Sequence, residues 1–174
     1  MTDEKDERVN PFQHVAELVY QEDLGALDAR FLAQPVSCLP HRDPICVGQD
    51  ATVHEVMALL KRYRFGCVLI VDNRGRLIGI FSERDYVLKV YASEIDANKT
   101  PISEVMTREP ITQPPDAPLA HVLNMMSNGG FRHIPIVDDV GAPLWMVSVK
   151  NIMDYIVADV GNALMNFKTE DWSQ

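Results

Sequence analysis

The sequence predicts an α+β fold. Two βαββα repeats pack face to face with pseudo-two-fold symmetry, flanked by an N-terminal helical extension and a long C-terminal helix. Three observations carry that expectation. Residues 35–86 overlie residues 101–152 at a constant offset of 66 positions, without a gap. Fourteen overlaid pairs are identical, among them Pro35/Pro101, Asp50/Asp116, Ala51/Ala117, Ile70/Ile136, Asp72/Asp138, Gly75/Gly141 and Ser82/Ser148. Within each copy, short β-branched runs alternate with stretches whose apolar residues recur at helical spacing. The period exceeds that of solenoid repeats, and a unit of this size is small for a core of its own. Two copies clasping each other, with related clefts between them, satisfy both constraints.

Each element follows from local pattern. Residues 1–34 are an acidic tail and a helical extension, begun by Asn10-Pro11 as N-cap and first helical position. The first repeat spans 35–91. Ile45-Cys46-Val47 is its opening strand, and Asp50 is read as the cap of a helix with the apolar face Val53, Val56, Met57 and Leu60. Cys67 to Val71 is a buried strand, Asp72-Asn73-Arg74-Gly75 a hairpin turn, and Leu77 to Phe81 the returning strand. Ser82 then caps a helix running to about Tyr91. Residues 92–100 are a polar linker. The second repeat, 101–157, repeats the order: Ile111-Thr112 as first strand, Asp116 as cap, and Leu119, Val122, Leu123 and Met126 as helix face. Asn128-Gly129-Gly130 stops that helix. Strand His133 to Val137, turn 138–141 and strand Leu144 to Val147 follow. The last helix keeps an apolar face through Ile152, Ile156, Val160, Leu164 and Phe167, into an extension and tail at 158–174.

Composition bounds the function. The net charge of −9 and pI of about 4.9 argue against a large nucleic-acid footprint, which needs a basic face. The longest apolar runs, Val56 to Leu60 and Cys67 to Val71, are too short to cross a bilayer. The charged start MTDEKDER does not read as a secretory signal, so the cytoplasm is the expected compartment. Three cysteines without paired spacing suggest neither a disulfide framework nor zinc, and Cys46 and Cys67 read as core residues. His14, His41, His54, His121 and His133 show no metal-ligand spacing, and no Walker-type loop is present. No catalytic constellation stands out, and the expectation is that the chain is not an enzyme.

Several features occur in both copies. Each opens with a proline-led strand and an Asp-Ala pair before an amphipathic helix. Each then has a strand ending Ile-Val-Asp, a glycine turn, and a closing strand that meets Ser-x-x-(Asp/Asn) at a helix start. With the stretch PISEVMTREPIT at the head of the second copy, this pattern resembles the CBS domain, and the pair resembles a Bateman module, over roughly residues 35–157. The resemblance implies the clasped architecture and two clefts that take adenosine-containing ligands such as AMP, ADP, ATP, NAD or S-adenosylmethionine.

The segment Gly79 to Asp85, GIFSERD, carries the chemistry most directly. Gly79 allows close approach to its strand. Ser82 stands at a helix N-terminus, where free N–H groups favour phosphate. Asp85, one turn on, has two oxygens able to accept both hydroxyls of a ribose diol. Arg84 is within reach of a phosphate. The competing reading is local, because Ser-x-x-Asp is also a capping box whose side chains satisfy backbone donors. The second copy reads WMVSVKN: Ser148 is kept, Lys150 stands for Arg84, Trp145 for Gly79 and Asn151 for Asp85. Asn151 has one acceptor oxygen, so the clefts are expected to be unequal, with Asp85 marking the better one. Trp145 reads equally as a base-stacking platform and as core. Arg132 and His133 precede a strand, where the resemblance implies phosphate contacts; a solvated strand end is the plain alternative. It also implies Ile45, Val47, Ile111 and Thr112 as the adenine pocket.

The expected function is a regulatory sensor that binds an adenine nucleotide or other adenosyl ligand between its repeats and passes the bound state to a protein target or to self-assembly. The resemblance implies a homodimer. The alternative is a ligand-independent structural or interaction module, supported by Trp145 and the added apolar helix face.

Overall fold

A computed structural model of the chain describes residues 29–91 and 93–158. The expectations for residues 1–28 and for the helix beyond 158 lie outside them. The element order is α1 (Ala29–Leu32), β1 (Cys46–Gly48), α2 (Val53–Tyr63), β2 (Cys67–Val71), β3 (Leu77–Ser82) and α3 (Glu83–Asp85, continued by a π-helical turn Tyr86–Tyr91). Then come α4 (Ile102–Val105), β4 (Thr107–Arg108), α5 (Leu119–Gly129), β5 (His133–Val137), β6 (Pro143–Ser148) and α6 (149–158). The first sheet has the order β1-β2-β3-β4, with β1 parallel to β2 and the other pairs antiparallel. The second is the hairpin β5-β6.

The repeats are joined by exchange of the segments that lead into them. Val36 N–H donates to the Ala117 carbonyl at 2.9 Å, and Ile102 N–H donates to the Ala51 carbonyl at 2.7 Å. Leu119 N–H reaches the Gln34 carbonyl and Val53 N–H the Thr100 carbonyl; Ser37 N–H reaches Pro115 and Ser103 N–H reaches Gln49. Each of these bonds has its counterpart 66 residues on. That reciprocity defines a pseudo-two-fold relation. The apolar contacts follow the same crossing. Val36 and Leu39 are buried in the core built by Leu119, Val122, Ile134, Ile136, Trp145, Val147 and Ile152. Ile102, Val105 and Met106 are buried in the core built by Val53, Val56, Leu60, Val68, Ile70 and Phe81. Each lobe is therefore closed by the lead-in segment of the other.

Several expected details shift. The α2 cap is Thr52, not Asp50: its hydroxyl accepts from Glu55 N–H while the Glu55 carboxylate takes Thr52 N–H, a reciprocal box. For α5, Pro118 stands at the cap position in place of Asp116, with no side-chain bond. The first strand is Cys46–Gly48, so Cys46 is exposed rather than core; Cys67 is buried. In the second repeat Ile111 and Thr112 are not in a strand, and only Gln113 bridges, to Ile136. The cause is Pro135. Its counterpart Leu69 donates to the Ile45 carbonyl at 2.9 Å, and proline has no N–H to give.

The ends of the two central helices differ as well. Gly130 ends α5 in the left-handed region (φ 66) and Arg64 ends α2 there (φ 54). Only the glycine does so without a side-chain penalty.

Two measurements check this architecture. Ile102→Ala, far in sequence from the core it enters, is expected to cost about 2–5 kcal/mol in urea unfolding, as for any buried isoleucine. The wild type is expected to unfold in one transition by fluorescence and circular dichroism; two separate transitions would show lobes that stand alone.

Candidate functional site

Two clefts open where the lobes meet. The first, of about 400 Å³, lies over the start of α3 and is lined by Ser82, Arg84, Asp85, Thr107, Ile111, Arg132 and His133. The second, of about 700 Å³, lies over the start of α6 and is lined by Ser148, Lys150, Asn151, His41, Arg42, Arg64, Arg132 and His133. All but two lining residues of the first recur in the second at the offset of 66, so the clefts are related by the pseudo-two-fold relation. Gly66, Glu83, Arg132 and His133 face both and form their common wall.

Ser82 is placed by the end of β3, where its extended backbone (φ −122) hands over to α3. Asp85 Oδ2 accepts from Ser82 N–H at 3.0 Å and from its hydroxyl at 2.6 Å, while Asp85 N–H donates to Ser82 Oγ at 3.2 Å. Asp85 Oδ1 meets Lys89 Nζ at 2.7 Å and accepts from the Thr107 hydroxyl at 3.1 Å. Both oxygens are thus engaged. Burial works against the Asp85 charge, but the Lys89 ammonium and the Ser82 donors outweigh it and hold the carboxyl below its usual range. In the second cleft Asn151 Oδ1 accepts from Ser148 N–H at 3.0 Å and from its hydroxyl at 2.6 Å. The capping box expected as the local reading is therefore formed in both copies. Lys150 instead pairs with Asp154, and Arg84 donates across the lobes to the Gly130 carbonyl at 3.2 Å.

The remaining expected residues fall in three places. His133 and Arg132 come to the common wall, where a Cβ on Gly66 would lie 3.1 Å from the His133 ring. Burial, and then the neighbouring Arg132, push the His133 pKa down. Ile111 lines the Asp85 cleft at half exposure; Thr112 lines neither cleft. Ile45 and Val47 pack on the first core instead of lining a cleft. Gly79 also lies outside the lining and serves packing: a Cβ there would sit 2.3 Å from Met106 Sδ, so the bare strand lets β4 pair alongside.

At the matching position Trp145 is 8% exposed, belongs to the second core, and stacks on His41 with ring centroids 4.3 Å apart. Its Nε1 is buried without a hydrogen-bond partner among the described residues. No strand corresponding to β4 forms beside it, since the indole fills the space that Gly79 leaves open.

Sequence reasoning missed the Asp85 partners Lys89 and Thr107, the contribution of Arg42, and the common wall. The offset held a clue, because Thr107 and Arg42 sit on lead-in segments that cross to the other lobe. Cys67 is buried, as its reading as a core residue implies. Its Sγ lies 2.9 Å from Met146 Sδ across the lobes, and burial, then the charges of Asp85 and Glu83, push its pKa up to about 12. Among the described residues no group of three or more His, Cys, Asp or Glu is placed to hold a metal, and no helix is long and apolar enough to cross a membrane.

Two clasped βαββα lobes with paired clefts at their helix starts define a tandem-repeat module. The CBS domain profile matches residues 36–91 and 102–158, and the chain belongs to the CBS domain family. Protein MK0525 of Methanopyrus kandleri is 29% identical over 132 residues, covering 74% of this chain and 67% of that one. An L-aspartate semialdehyde sulfurtransferase of Methanocaldococcus jannaschii is 28% identical over 75% of this chain; the match spans 25% of that protein. Among solved structures, the CBS domain pair of protein MJ0100 in complex with 5′-methylthioadenosine and S-adenosyl-L-methionine aligns with a TM-score of 0.65 and 27% identity, covering 72% of this chain and 98% of that one.

Two outcomes test this geometry. Because the folded Asp85 pKa is lowered, its contribution is present above the unfolded value near 3.9 and is lost as pH falls through the folded value. Asp85→Asn, which can keep the box as Asn151 does, is therefore expected to be less stable than wild type at pH 7. The gap should close below about pH 4 in thermal melts. Iodoacetamide at pH 8 is expected to modify exposed Cys46 and leave Cys67 untouched until the protein unfolds, as read by peptide mass analysis.

Proposed function

We propose that the chain is a regulatory sensor whose clefts bind adenosyl ligands and whose bound state alters the fit of the two lobes. The observation that carries this reading is the Asp85 cleft. One lobe supplies Ser82 and Asp85 at a helix start, and the crossing segment of the other supplies Thr107 and Ile111. A ligand there touches both lobes at once. A ribose hydroxyl would take Asp85 Oδ1 by displacing the Thr107 hydroxyl, leaving the Ser82 contacts on Oδ2 in place. Releasing the Thr107 hydroxyl removes one side-chain tie between the crossing segment and the first lobe, while the β3–β4 backbone pairing remains. Such a ligand shifts the lobes only to the extent that it prefers one arrangement. The likeness to a CBS pair in complex with 5′-methylthioadenosine and S-adenosylmethionine supports the ligand class. The output is either a protein target or self-assembly. For the latter, Val87 and Tyr91 on α3 and Met153 and Val157 on α6 are exposed apolar residues at matching positions of the two repeats, a face suited to a second copy.

One observation favours a ligand-independent interaction module instead. The oxygens that a diol would use are already satisfied: Asp85 Oδ2 and Asn151 Oδ1 by the serine of their own helix start, and Asp85 Oδ1 by Lys89 and Thr107.

Thermal unfolding against 5′-methylthioadenosine, S-adenosylmethionine, AMP, ADP, ATP and NAD, with sedimentation in parallel, separates the two. A bound ligand at 100 times its dissociation constant is expected to add about 2.7 kcal/mol. Asp85→Ala is expected to weaken binding of an uncharged adenosyl ligand more than Asn151→Ala does. A constant oligomer indifferent to every compound at millimolar concentration favours the interaction module.

A further inference from the structure

The two clefts have opposite electrostatic character. The larger is lined by Arg42, Arg64, Arg132 and Lys150 against the carboxylates of Glu83 and Asp154. The smaller is lined by Arg84 and Arg132 against Glu83, Asp85 and Glu109. In a chain of net charge −9, a cleft with an excess of cations is a local concentration that the composition alone does not supply. The state of those cations sharpens the contrast. Among the described residues Arg42, Arg64 and Arg132 form no ion pair, so their guanidinium groups are available for an anion. Lys150 is paired with Asp154, and in the smaller cleft Arg84 donates to the Gly130 carbonyl.

The polar anchors divide the same way. Asp85 offers a charged carboxylate with two oxygens, both engaged, of which Oδ1 is opened by displacing the Thr107 hydroxyl. Asn151 offers one acceptor oxygen, which Ser148 already fills. The larger cleft therefore has weak means of holding a diol and strong means of holding phosphates, through forked donors that match phosphate oxygens. Its volume of about 700 Å³, against about 400 Å³, leaves room for a phosphate chain.

We infer that the clefts bind ligands of opposite charge class. The cleft over Ser148 takes a polyphosphate-bearing nucleotide, and the cleft over Ser82 takes an uncharged or cationic adenosyl compound. The inference rests on the sensor reading above and specifies it. The common wall couples the two. Arg132 faces both chambers, so a polyanion drawing on it from one side removes positive charge from the other and favours a cation there. By linkage the effect is reciprocal.

Titration calorimetry on the full chain tests this with ATP as polyanion, 5′-methylthioadenosine as neutral ligand and S-adenosylmethionine as cation. ATP and 5′-methylthioadenosine are expected to bind together, one site each. Combined Arg42→Ala and Lys150→Ala, both at exposed positions, should weaken ATP at least tenfold and leave 5′-methylthioadenosine within twofold. Asp85→Asn should do the reverse. Saturating ATP should tighten S-adenosylmethionine at least fivefold, an effect lost in Arg132→Ala. Raising salt should weaken ATP and spare 5′-methylthioadenosine. Unfolding midpoints of the variants establish that each is folded. Competition of ATP and 5′-methylthioadenosine for one site, or a larger loss of ATP in Asp85→Asn than in the Arg42/Lys150 variant, overturns the charge division while leaving the sensor reading intact. Failure of all three compounds to bind wild type overturns both.

Discussion

Around Val36 the backbone is hydrogen-bonded to Ala117 of the other repeat, and around Ile102 the second repeat returns the same bonds to Ala51. This exchange is what the rest of the structure depends on. Backbone donors and acceptors that leave water must find partners, and here those partners lie in the opposite lobe. The apolar side chains carried by the crossing segments, Val36 and Leu39 in one direction and Ile102 and Val105 in the other, then complete the two cores. The clefts are a by-product of the same crossing, because the chain leaving each core runs past the helix start of its host lobe. Thr107 comes within bonding distance of Asp85, and Arg42 to the rim over Ser148, for this reason.

The duplicated lobes diverge at a few positions whose effects are mechanical. Gly79 leaves a channel along β3 that Met106 fills and β4 pairs across. Trp145 closes that channel in the second lobe and turns the incoming chain aside, with His41 against the indole face. Pro135 withdraws the donor that would anchor a first strand, leaving a single bridge at Gln113. Pro143 does the same to the hairpin contact that Leu77 makes with Gly141 in the opposite sense. The chamber over Ser148 is also the wider, at about 700 Å³ against about 400 Å³, and the cations at its rim set its chemistry apart from that of its twin.

Much of this was legible in the sequence. The ungapped offset, the β-branched runs and the glycine turns specify the strands and the hairpins; His133–Val137 stands as the pattern reads, and Gly130 ends its helix as the Asn-Gly-Gly run implies. Caps were misplaced because Asp50 and Asp116 are stronger capping types than Thr52 or Pro118, whereas tertiary bonds from Val53 to Thr100 and from Leu119 to Gln34 set where the helices begin. Ile45 and Val47 read as cleft residues, but an alternating strand turns its side chains to a face that only the fold decides. The Asp85 network was half legible: Ser82 is three residues away and follows from local pattern, while Thr107 is brought in by the crossing and leaves no trace in local spacing.

Gly66, Glu83, Arg132 and His133 look into both chambers. A partition seen from two rooms cannot be redecorated on one side alone. A substitution that enlarges the wall or recharges it changes the shape and charge of both chambers together. The chambers can diverge independently at the outer rims, where Arg42 and Glu109 each line one chamber alone. Sequence change is therefore free to reshape each chamber at the periphery, while the centre is held by two demands at once.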